Sequence, residues 1–170
     1  MNCDRLYKNI VDQVKEVQQK LGYVKETVRL YYQLSTINAL LDMDCSDIKE
    51  LEHKINLEGI EITIGEGRLL VSVSPDLCEK IHQEKDNSFL HDIIELFRNK
   101  HNCTIEEICQ VFAKYSEDYV CEKIDNGEFD YAVHFVDSSI DEYYYCIKFE
   151  GHHSIYHRFM KEDYEGIMAI

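Results

Sequence analysis

Between Gly127 and Gly151 two runs of alternating apolar residues flank a short polar break, and this stretch constrains the fold more than any other. Phe129, Tyr131, Val133 and Phe135 occupy every second position of the first run, and Tyr143, Tyr145, Ile147 and Phe149 do so in the second. A period of two belongs to a half-buried strand. Joined through Asp137-Ser138-Ser139-Ile140, the two runs predict an antiparallel hairpin with one aromatic face. That face has to be covered, and helical patterns lie on both sides of it in the chain.

Leu6, Ile10, Val14, Val17 and Leu21 recur at helical spacing. They predict an amphipathic helix over 4–21, with Asp12, Lys15, Glu16, Gln19 and Lys20 on its outer face and Gly22 as its stop. The following stretch, to Leu41, is apolar on more than one face and reads as a buried helix, broken near Gln33 to Thr36 with Ser35 capping the restart. Ser46 is expected to cap a third helix that turns Ile48, Leu51 and Ile55 inward. After Gly59 the period changes to two: Ile60, Ile62 and Ile64 face Leu69, Val71 and Val73 across the turn Gly65-Glu66-Gly67. Ser74 followed by Pro75 then opens a short helix to Gln83.

The polar run 84–88 marks an internal boundary, giving an N-terminal unit over 1–85 with the hairpin 60–74 and a C-terminal unit over 86–170 with the hairpin 128–150. In the second unit Phe89, Leu90, Ile93, Ile94 and Phe97 mark one helix. Thr104 and Glu107 form a capping box for the next, whose buried side is Ile105, Ile108, Phe112 and Tyr115. Ser116 is expected to cap a third helix to Ile124, Asp125-Asn126-Gly127 to turn the chain, and Ser154 to start a terminal helix. Each half thus reads as three helices and a hairpin, so the expected fold is α+β: tandem winged-helix-like units with an added C-terminal helix. The alternative is one four-stranded antiparallel sheet covered by helices.

Charge decides what such a fold can meet. The 170 residues carry 18 Lys and Arg against 33 Asp and Glu, a net charge of −15. A surface of that sign repels phosphate backbones and anionic lipid, and the segments in the place of DNA-reading helices are themselves acidic. Neither nucleic acid nor membrane is expected as a partner. No apolar run is long enough to span a bilayer and the N-terminus has no signal-peptide core, so a cytosolic protein is expected. Seven cysteines without a CxxC pair are read as reduced thiols.

The stretch GIEITIGEGRLLVSVSPDLCEKIHQ, set between helical bundles, resembles the bacterial segregation and condensation protein B, an acidic tandem winged-helix adaptor that dimerises and binds a kleisin. The long first helix, the aromatic second hairpin and the extra C-terminal helix depart from that family, so its partner does not carry over. Leu21-Gly22-Tyr23, Lys25-Glu26 and Arg29-Leu30-Tyr31-Tyr32 resemble the opening of an uncharacterised Firmicute family known as a domain of unknown function. That resemblance spans nearly the whole chain and implies neither activity nor site residues.

Three groups could carry chemistry. His152, His153 and His157 gather near Glu150 and Asp163, and on a helix the i, i+4 pair His153 and His157 could chelate a divalent ion. The bland reading is a solvated strand-to-helix junction. His101-Asn102-Cys103 has the composition of a thiol nucleophile with its base but reads as a helix end followed by a cap. His134 is expected to pair across the ladder with Glu142 or Tyr144. Tyr32, Tyr119, Tyr144 and Tyr156 are the candidate partner-binding residues, since tyrosine buries area at low entropic cost. GxGxxG and GK[ST] are absent, and no cofactor is expected. The reading that follows is a non-enzymatic protein-interaction or adaptor module, with homo-oligomerisation as one form of it. The alternatives are a metal-binding protein or small metalloenzyme on the C-terminal histidines, and a winged-helix DNA-binding regulator that the charge opposes.

Overall fold

The structure, a computed structural model, describes residues 1–84 and 88–168. Residues 85–87, the middle of the polar run read as a boundary, lie outside the described residues. The chain divides into two compact units, Met1–Asp86 and Asn87–Ile170. Each combines helices with one antiparallel sheet, and the α+β class holds.

In the N-terminal unit helix α1 runs over Asp4–Leu21, and Gly22 ends it at φ 76, its N–H donating to the Gln18 carbonyl. Glycine adopts this left-handed turn without the cost that a Cβ would bring. Leu6, Ile10 and Val14 are buried as their spacing predicts, but so are Asn9, Asp12 and Gln18. Asp12, expected on the outer face, is therefore corrected to the inside.

The next element departs further from expectation. Val28–Tyr32 is a strand, β1, and only Leu34–Leu41 is helical, as α2. Valine, leucine and two tyrosines suit a pleated surface as well as a buried helix, and pairing with a neighbouring strand decides between them. Gln33, not Ser35, flanks the helix start. The third helix shrinks to one 3-10 turn, Ile48–Leu51, where the Asp47 carboxylate rather than Ser46 accepts the Lys49 N–H. Ile48, Leu51 and Ile55 do point inward.

Strands β2, Ile60–Gly65, and β3, Arg68–Val73, pair in the expected register, with Ile60 opposite Val73, Ile62 opposite Val71 and Ile64 opposite Leu69. β1 joins the other side of β3, giving the order β1-β3-β2. Helix α3, Pro75–Gln83, starts at Ser74, whose Oγ accepts the Leu77 N–H at 3.2 Å. The order of three helical segments and a wing survives in this unit, with a strand inserted.

The C-terminal unit opens with α4, Ser88–Asn99, and α5, Ile105–Tyr115. The Thr104 and Glu107 capping box is formed in both directions. Tyr119–Lys123 is then a strand, β4, where a third helix was expected. The hairpin follows as β5, Tyr131–Phe135, and β6, Tyr144–Glu150. His153–Phe159 is another strand, β7, so Ser154 starts no helix; the terminal helix α6 begins at Lys161 and runs to Met168. The four strands pair in chain order as β4-β5-β6-β7, a four-stranded antiparallel sheet beside helices. The two hairpins lie in separate sheets.

One face of this sheet packs on α4 and α5. There Phe89 meets Phe112 at 4.8 Å, Phe135 at 4.8 Å and Tyr145 at 5.7 Å, each edge to face, the arrangement favoured by ring quadrupoles. The other face packs Ala132 and Cys146 with Ile124, Phe129 and Tyr164 of α6. Phe129 precedes β5 and belongs to this second face, contrary to the simple alternation.

Candidate functional site

A strand sends successive side chains to opposite faces, and β1 separates its adjacent tyrosines in this way. Tyr32 is 6% exposed and donates its hydroxyl to buried Asn9 Oδ1 at 2.7 Å. Burial, helped by the nearby Asp12 carboxylate, pushes its phenol well above the usual range. Tyr31 is 59% exposed. The Arg68 guanidinium stands 5.0 Å from the Tyr31 ring centre and 3.5 Å from Glu66. Arg29 lies two residues back on the same face, and Leu70 is the direct cross-strand partner of Tyr31. A Cβ at Gly65 would come within 3.1 Å of Leu70 Cδ1, so glycine there lets Leu70 lie close against the turn. Arg29 has no carboxylate partner among the described residues. The result is an open sheet face with a tyrosine, two arginines and a half-buried leucine, while the opposite face holds Leu69, Val71 and Val73 in the core.

Of the tyrosines singled out from sequence, Tyr32 is thus a core residue. Tyr119 is half-buried beside Phe112, with ring centres 6.1 Å apart, and Tyr156 is half-buried between Phe97 at 4.8 Å and Tyr145 at 5.9 Å. Tyr144 lies flat on His134, with rings 3.9 Å apart and 10° from parallel, and tilts against Tyr164 at 4.7 Å. The cross-strand partner expected for His134 is therefore Tyr144. Val120, opposite His134 in the register, is 37% exposed, and Val136, just past β5, is 66% exposed.

The histidines do not gather. His153 and His157 sit on β7, where four residues span about 13 Å rather than one helical turn. The His153 ring is 6.0 Å from that of His101, the His157 ring is 5.6 Å from Phe129, and His152 lies in the preceding turn. No group of three or more His, Cys, Asp or Glu residues that could hold a metal occurs among the described residues.

Cys103 is buried, with Sγ 2.9 Å from Ser154 Oγ. His101 meets Ser154 through its backbone carbonyl, which accepts the Ser154 N–H at 2.7 Å, so no imidazole serves the thiol in that contact. Burial raises the thiol above its ordinary pKa. A nucleophile needs the reverse shift. Burial likewise lifts Cys146 to about 12, and burial together with the adjacent Cys121 thiol lifts Cys109 to about 12.

A groove of about 430 Å³ between α4 and α5 is lined by Asp92, Glu95, Leu96, Lys100, Glu107 and Lys114 among others. Its charges answer one another: Lys114 holds Asp92 at 2.9 Å and Lys100 holds Glu107 at 2.7 Å. Asp92 also accepts the Tyr115 hydroxyl, and that bond, with Lys114, keeps its carboxyl below the ordinary range. A second open groove, of about 410 Å³, lies at the start of α3 between Thr27, Gly59, Glu61 and Pro75. Neither brings titratable groups together around an empty centre.

The family described as "Domain of unknown function, E. rectale Gene description (DUF3877)" matches residues 3–168. The chain belongs to this family. No curated protein and no solved structure matches it, and the resemblance to segregation and condensation protein B has no support. Membership brings no activity and no site residues with it, so function has to be argued from the surfaces. No helix among the described residues is long and apolar enough to cross a membrane.

Proposed function

We propose that this DUF3877 protein is a non-enzymatic, cytosolic interaction module, an adaptor that meets other proteins through exposed sheet surfaces. The observation that carries the reading is the open face of the N-terminal sheet, where Tyr31 stands 59% exposed under Arg68 with Arg29 and Leu70 beside it. Tyrosine and arginine dominate the energetic centres of protein interfaces, because each buries a large flat group while keeping a polar edge. The Arg68 guanidinium over the ring favours one placement of Tyr31, which reduces the rotamer freedom to be lost on binding.

The DNA alternative gains nothing from the three-helix-and-wing order of the N-terminal unit. The element in the position of a reading helix is one four-residue 3-10 turn, and its segment sets Lys49 in sequence beside Glu50 and Glu52. Such a surface offers no run of bases for a phosphate backbone.

A photo-crosslinking residue placed at position 31 in the native cell tests the proposal. A discrete protein adduct at position 31, absent when the same group replaces exposed Lys8, supports it. Adducts of equal yield and identity at both positions count against it, as does nothing beyond self-quenching at position 31.

A further inference from the structure

A second surface lies in the C-terminal unit. β4 ends the sheet order β4-β5-β6-β7, so its outer edge has no strand partner among the described residues. Beyond half-buried Tyr119 every residue of the strand is exposed. Its register against β5 runs unbroken from Tyr119 opposite Phe135 to Lys123 opposite Tyr131, without bulge or proline. The charged residues that usually guard such an edge, Glu122 and Lys123, stand only at its far end, and Tyr119–Cys121 carries none. An unguarded edge presents backbone N–H and C=O groups to any extended chain that reaches it.

The sheet face beside that edge is apolar at one corner. Val120 sits opposite His134, which stacks on Tyr144, and exposed Val136 follows the end of β5, its N–H donating to the Asp118 carbonyl at 3.1 Å. Around the strand stand Glu117, Asp118, Glu122, Asp125 and Glu128, all exposed and none in a salt bridge among the described residues. Lys123 is the only Lys or Arg between 116 and 142.

We infer that the outer edge of β4 accepts an extended basic segment of another protein as a fifth strand. Alternation sets what that segment must carry. On the face of Val120 an apolar residue lies beside Val120, and a Lys or Arg two positions along lies beside Glu122. Five paired residues span about 17 Å, so further bases at the two ends reach Glu117 and Asp118 on one side and Asp125 and Glu128 on the other. A second copy of this chain is the wrong occupant, since it would set the same carboxylates against each other. This inference goes beyond the Tyr31 surface: it uses another strand, in the other unit, for a partner of stated charge, and either can fail alone.

The probes are three blocked nine-residue peptides, one alternating Lys and Val, one with its central residue replaced by Pro, and one alternating Glu and Val. Each is titrated at low salt into isotopically labelled protein while amide shifts and hydrogen exchange are followed. The Lys-Val peptide should shift and protect the β4 amides, and the other two should not. Its affinity should fall about tenfold in the exposed pair Asp118→Lys with Glu122→Lys, fall with added salt, and stay the same in Tyr31→Ala. Val120→Asp, a second variant at an exposed position, should weaken it as well. Three results overturn the inference: perturbation centred away from β4, equal binding of the Glu-Val peptide, or β4 protection that grows with protein concentration and no peptide.

Discussion

Replacing Tyr31 and Tyr32 one at a time by phenylalanine separates the strand from the helix that the sequence pattern favoured. Tyr32 is buried, and its hydroxyl is a 2.7 Å donor to Asn9, itself 3% exposed on α1. Tyr32→Phe removes that donor while leaving Asn9 Oδ1 inside, which costs about 1–2 kcal/mol. Tyr31→Phe removes a hydroxyl that stands in solvent and should change stability by less than about 0.5 kcal/mol. For a chain of this size the first change lowers Tm by about 2–8 °C and the second leaves it nearly unmoved. Urea unfolding followed by circular dichroism measures both, with equal m-values showing that the unfolded reference is shared. If Tyr31→Phe proves the more damaging, or the two cost the same, the strand register of 28–32 is wrong and the open Tyr31 face goes with it.

Three further outcomes follow from the packing. Phe112→Ala empties a site ringed by Phe89, Phe135 and Tyr145 and should cost about 3–5 kcal/mol by the same unfolding assay. Thr104→Ala breaks the capping box and should cost about 1 kcal/mol, with Thr104→Ser restoring most of it. Cys109 and Cys146 keep their protons in the fold to about pH 12 but release them near pH 9 when unfolded, so their contribution is complete below pH 9 and drains away as the pH climbs towards 12. Stability should therefore decline through that alkaline window, and alkylation at pH 8 read by mass spectrometry should mark Cys121 before Cys78, Cys103 and Cys146.

Legibility of the fold followed the physics of each element. The 60–73 hairpin was plain in sequence because three isoleucines alternate strictly, the partner strand answers them, and glycines bracket the turn. The capping box and the Gly22 stop were equally plain, being local hydrogen-bond chemistry. β4 and β7 were hidden because they are edge strands: with little of either face buried, their alternation is diluted by exposed valine, isoleucine and histidine. β1 was hidden for the opposite reason, since an apolar run leading into α2 carries no period to choose between strand and helix. That one assignment moved the candidate site. Read as part of a helix, Tyr32 was the partner-binding candidate, whereas on a strand beside β3 it is Tyr31 that faces out and Tyr32 that is buried. The histidine pair changed meaning in the same way, four residues being one turn on a helix and most of a strand on β7. Only the long-range pairing of strands settles such cases, and single-residue patterns do not contain it.

The most direct measurement is the affinity of the partner trapped at position 31 for wild-type protein and for Tyr31→Ala combined with Arg68→Ala, both shown to be equally folded. An interface centred on that pair loses about 2 kcal/mol or more, roughly thirtyfold in Kd. Unchanged affinity in the double variant would contradict the account, because the residues held to anchor the partner would then contribute nothing to holding it.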